Sequence, residues 1–169
     1  MNQENQLRAQ FYRCYDPVAL YQFITRIRGM SEDTRRGLSE FLGEGVHFQS
    51  FEFRASDFIM AVNVAKSTFL RRGDLEVARW KDAMGIARTL ENAELIPPME
   101  VLSIGDSLAV IMPKGGEVSK FTGRKLESQL LDTARALGRA GLVLDDYPQL
   151  REAGGVPFII DWSDLSFVS

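Results

Sequence analysis

The chain has 169 residues, 45% of them hydrophobic and 25% charged, and a formal net charge of −3. That length supports one domain or two small lobes with a real buried core, and the small charge gives no global pull toward nucleic acid or an anionic membrane surface. A single cysteine, Cys14, excludes an internal disulfide framework; no apolar run is long enough for a membrane span, and the polar start from Met1 to Gln10 lacks a signal-peptide core, so the expected location is the cytoplasm.

The first part of the chain, Asn5 to Phe41, reads as helical. Leu20, Tyr21, Phe23, Ile24 and Ile27 recur at helical spacing between Pro17 and Arg28. Gly29 stops that helix. Ser31-Glu32-Asp33 then supplies an N-cap with acids in the first turn, and the spacing predicts a second helix to about Phe41. The basic pairs Arg35-Arg36 and Arg71-Arg72 read as solvated faces, with a local acidic partner as the alternative.

The pattern changes at Gly43-Glu44-Gly45, a turn signal. Val46, Phe48, Phe51 and Phe53, then Phe58 to Ala65, predict strands joined by a hairpin at Ala55-Ser56-Asp57. Asp74 to Leu90 returns to helical spacing and ends before Pro97-Pro98. Val101 to Ile104 and Leu108 to Met112 predict a hairpin around Gly105-Asp106. Gly115-Gly116 reads as a hinge-like loop. Phe121 to Ala140 predicts a long amphipathic helix closed by Gly141. Leu142 to Leu144 and Phe158 to Ile160 predict short strands bracketing a turn-rich loop.

Three features in this order carry chemistry. Gly43 and Gly45 allow close backbone approach to a phosphate, and they equally suit a tight hairpin. Lys66 follows an apolar strand, where it is either a strand-end charge reaching water or a cation aimed at phosphates. Asp161 ends the apolar segment Phe158-Ile159-Ile160. A carboxylate there needs a metal, a counter-ion or a donor; the alternative is a turn cap on Ser163 or Asp164.

Taken together, the order resembles the protein-kinase-like superfamily. Leu42-Gly43-Glu44-Gly45-Val46 is similar to the Gly-rich loop, with Phe48 in place of its third glycine. Ala61 to Lys66 is similar to the lysine strand. Leu108 to Glu117 resembles the last strand and the linker between lobes. Asp145-Asp146-Tyr147-Pro148 resembles the catalytic loop, and Ile160-Asp161-Trp162 the metal site of small-molecule and atypical kinases.

The resemblance implies an α+β, two-lobed kinase-like fold. A helical extension would span 1–41. A lobe with a five-stranded antiparallel sheet would span 42–114, and a reduced helical lobe 115–169. It implies ATP and Mg²⁺ as cofactors. Gly43 and Gly45 would cover the phosphates, and Lys66 would pair with them. Glu76, with Glu91 behind it, would hold Lys66. Ile111 and Met112 would line the adenine pocket. Asp145, or Asp146 one residue on, would position an attacking hydroxyl, and Asp161 would bind the metal.

The departures are specific. Val143 and Leu144 stand where the family has its histidine-containing approach. The only histidine, His47, reads as a strand residue. The metal-binding asparagine is replaced by Gln149, one position short. The segment from Asp161 to Ser169 leaves no room for an activation segment. Two function classes follow: a minimal kinase acting on an unknown acceptor, or a catalytically inactive module, either a pseudokinase-type binder or a regulatory protein (immunity or adaptor) with a protein partner.

Overall fold

The computed structural model describes residues 2–119, 123–145 and 148–169. It is a mixed α+β protein. Among the described residues it has six helices and a five-stranded antiparallel sheet, with two further two-stranded ribbons. No helix among them is long and apolar enough to cross a membrane.

Three helices precede the sheet: α1 (Gln3–Cys14), α2 (Pro17–Arg28) and α3 (Glu32–Arg36). Each is started by a side-chain cap. Asn2 accepts from the amide of Asn5, Asp16 from those of Val18 and Ala19, and Ser31 from that of Thr34. Pro17 sits in the first turn of α2, where its missing N–H costs nothing. The third helix is shorter than the spacing predicts. It ends at Gly37, and Phe41 instead enters a strand, packing its half-buried ring against Phe51 at 5.7 Å.

The sheet contains β1 (Phe41–Glu44), β2 (Phe48–Ala55), β3 (Phe58–Ala65), β4 (Glu100–Ile104) and β5 (Ser107–Pro113), in the order β1-β2-β3-β5-β4. The predicted turns are present. Ser56 takes φ 60° between β2 and β3, and Gly105 takes φ 59° between β4 and β5. Two helices, α4 (Ser67–Leu70) and α5 (Asp74–Ala87), lie between β3 and β4.

Strand alternation gives the sheet two different faces. Phe51, Val62 and Ile111 are cross-strand partners and share one face. The N-terminal helices cover that side: Phe11 meets Phe58 at 6.4 Å, and Phe23 meets Phe53 at 5.3 Å. The other face carries Phe48, Ser50, Ala61, Asn63 and Met112. There Phe48 packs on Phe69 of α4 at 4.9 Å and on Trp80 of α5 at 5.9 Å. Helices on both sides explain why every residue of β5 is buried.

After the sheet come α6 (Gly123–Arg139), β6 (Leu142–Leu144), β7 (Leu150–Ala153), β8 (Val156–Ile159) and β9 (Leu165–Phe167). The strand at Leu142–Leu144 does not pair with the Phe158 strand. It pairs with β9, and β8 pairs with β7. The cause is Gly154-Gly155. Both take positive φ, 56° and 79°, which is the geometry a two-residue hairpin turn requires. One continuous hydrophobic core runs from Leu7 to Leu165 and joins all of these parts.

Candidate functional site

Lys66 directly follows β3 and caps α4. Its backbone stays extended, so its side chain leaves on the same side as Val62 and Val64. There its amine donates to Glu44 Oε2 at 2.6 Å and to the carbonyl of Gly45 at 3.2 Å. Arg36 of α3 closes on the same carboxylate. Hydrogen bonds from Arg36, then from Lys66, hold the Glu44 carboxyl down at about 2. Lys66 is 12% exposed within this cluster.

The two glycines flank that carboxylate. Gly43 lies on β1 next to an irregularity in the β1–β2 register, and the Gly45 amide closes the turn by donating to Phe48 O at 2.9 Å. The stretch thus works as a tight hairpin that presents Glu44 to two cations. The expected partner of Lys66, Glu76, is exposed in the first turn of α5. The carboxylate that holds Lys66 is Glu44 instead, because Glu44 shares its sheet face. Glu91 is exposed after α5. Ile111 and Met112 are 0% and 1% exposed, and their side chains belong to the core.

Asp161 lies in the segment between β8 and β9. Its Oδ1 accepts from the Ser163 amide at 3.1 Å and from the Ser163 hydroxyl at 2.8 Å. That is the turn cap, one of the two roles open to it. The segment is fastened from outside by α5 and by the residue before its cap. Trp80 Nε1 donates to Trp162 O at 2.9 Å. Arg72 donates to Ser163 O at 2.7 Å while lying 4.6 Å over the Phe69 ring. Arg72 is therefore not a solvated charge. No local pattern announces this, since its partners lie far along the chain.

Asp145 and Gln149 belong to the neighbouring connection, between β6 and β7. That segment and the Asp161 segment open from the same end of the two ribbons, since Leu144 is opposite Leu165 and Leu150 opposite Ile159. The Ile160 amide donates to Gln149 O at 3.0 Å. The fold thus brings Gln149 next to Asp161. Asp145 and Gln149 are exposed; Asp146 lies outside the described residues. Among the described residues no group of three or more histidine, cysteine or carboxylate side chains is arranged to hold a metal ion.

The sheet face on the α5 side carries a polar group that the sequence does not single out. Asn63 donates to Val110 O at 3.0 Å and accepts from the Ser50 hydroxyl. Two residues along β2 from Ser50, Glu52 pairs with Lys114 at 3.5 Å. Asn63 and the Trp80-bound Asp161 segment are thus on one side of the sheet, and Lys66 is on the other.

No protein-family model matches this sequence, and no curated protein matches it.

Proposed function

We propose that this chain is a kinase-like, two-lobed binding module without phosphotransfer activity. The order of parts supports the kinase-like plan. An antiparallel five-stranded sheet with two helices, α4 and α5, before its fourth strand is followed by a linker, a helix and short paired strands. The observation that carries the inactive assignment is the placement of Lys66. Its amine is bound to Glu44 and Gly45 on the α3 side, whereas the Asp161 segment is fastened on the α5 side.

Phosphoryl transfer depends on cations and metal-bound carboxylates converging on one phosphate chain. A lysine and an aspartate on opposite sides of a sheet cannot do so. In the kinase strand motif the lysine stands two residues after its alanine, on the same face. Here Ala61 is followed at that spacing by Asn63, a neutral side chain committed to Ser50 and Val110.

The test is nucleotide turnover together with ligand-induced stabilisation. Purified protein is incubated with ATP and Mg²⁺, phosphate release is followed, and thermal stability is measured with and without nucleotide, since a ligand that binds the folded state raises its apparent stability. The expected result is no turnover, and the same thermal response in Lys66→Ala as in the parent. ATP turnover that is lost in both Lys66→Ala and Asp161→Ala would overturn the assignment in favour of an active minimal kinase using ATP and Mg²⁺.

A further inference from the structure

Two-lobed proteins commonly close over a ligand by turning about the linker between their parts. Here the linker is held from Lys114 to Ser119. The Lys114 amide donates to Ile59 O at 3.0 Å, so the chain leaves the sheet as a continuation of β5. Gly115 then passes against Arg151 and Phe158, with no room for a β-carbon. Gly116 and Glu152 exchange backbone hydrogen bonds in both directions, at 2.8 and 3.0 Å. The Glu152 carboxylate accepts from the Ser119 amide at 2.7 Å.

Two further ties lie away from the linker, between buried residues. The Ile159 amide of β8 donates at 2.8 Å to the carbonyl of Leu95, in the connection between α5 and β4. The Trp80 indole of α5 donates to Trp162 O at 2.9 Å. The Trp80 ring packs in turn on Phe69 at 5.0 Å and on Phe48 of β2 at 5.9 Å. Arg72 adds bonds to Ser163 O at 2.7 Å and to Asp164 at 3.4 Å. A rotation spares only the contacts on its axis. These ties come from three separate elements, so turning about the linker has to break buried hydrogen bonds, and a buried donor left without a partner is costly.

We infer that the two parts of the chain form one rigid body, in which the linker is a clamp and not a hinge. A ligand meets a single fixed arrangement of the two parts, and no closure accompanies its binding. The inference rests on the two-lobed reading for the division into parts, and it is independent of whether a nucleotide binds.

Native-state hydrogen exchange on the unmodified protein tests it, because sub-global opening and global unfolding expose different sets of protons. The deciding probes are the Ile159 amide and the Trp80 indole proton. Separation of the parts frees both while β2 and β3 stay paired. After correction for their intrinsic rates, both are expected to exchange within about tenfold of the slowest β3 amides, and only with global unfolding. Exchange of either probe more than about tenfold faster than those amides would overturn the inference. No nucleotide is present in this experiment, so its failure is distinct from a failure of the turnover test.

Discussion

Gly115→Ala offers a sharp test of how the two parts of the chain are joined. A β-carbon at this position would lie 2.5 Å from Cβ of Arg151, 3.0 Å from Cζ of Phe158 and 3.1 Å from the backbone nitrogen of Glu152. Two of these atoms belong to the β7 backbone or are fixed directly to it, so no rotamer change relieves the clash. Either the linker or β7 must move. Movement breaks the bridge in which Gly116 N donates to Glu152 O at 2.8 Å and Glu152 N donates to Gly116 O at 3.0 Å. Overpacking of this kind costs ~1–3 kcal/mol, and each lost hydrogen bond about 1 kcal/mol. The expected destabilisation is ~3 kcal/mol, which for a chain of this size lowers Tm by roughly 6–12 °C. The control is adjacent: a β-carbon on Gly116 meets nothing within 4 Å. Urea unfolding of both variants gives the comparison. If Gly115→Ala and Gly116→Ala agree within about 0.5 kcal/mol, the linker is not clamped to β7 as described.

Trp80→Phe removes one of the two donors to Trp162 O, which keeps its bond from the Leu165 amide at 3.1 Å. A loss of ~1 kcal/mol is expected by chemical denaturation, with faster amide exchange from 160 to 165. Acid should weaken the cluster of Glu44, Arg36 and Lys66. The Glu44 carboxyl titrates at about 2, below its ordinary 4.5. A depressed carboxylate contributes stability above its unfolded value and loses it as pH falls through the folded one. The Tm of the parent should therefore fall between about pH 4.5 and 2, and Glu44→Gln should show a shallower fall across that window, measured by circular dichroism.

Much of the fold is legible in the sequence, because its signals are local. Asp16-Pro17, Ser31 and the turns at Ser56 and Gly105 act through their immediate neighbours, and the alternation in β3 follows from burial on its Val62 face. The pairing of the last four strands is less accessible. Leu142–Leu144 and Phe158–Ile159 look equally apolar, and only the turn geometry at Gly154-Gly155 separates them. Gly115 looks like a hinge because glycine serves both freedom and close approach. Here the approach of Arg151 and Phe158 decides in favour of packing.

The candidate site failed to converge for a reason partly visible in the sequence. Lys66 stands five positions after Ala61, an odd offset, so on one continuous strand they belong to opposite faces. The parity can be read directly. What it does not reveal is which face the later segments occupy. Trp80 and Arg72 settle that by holding Trp162 and Ser163 on the α5 side, and those contacts span about half of the chain. Asp161 illustrates the same division. Its cap on Ser163 is a two-residue event that local chemistry anticipates. Its distance in function from Lys66 is a property of the sheet, because the cation that would serve it is held by Glu44 on the far side.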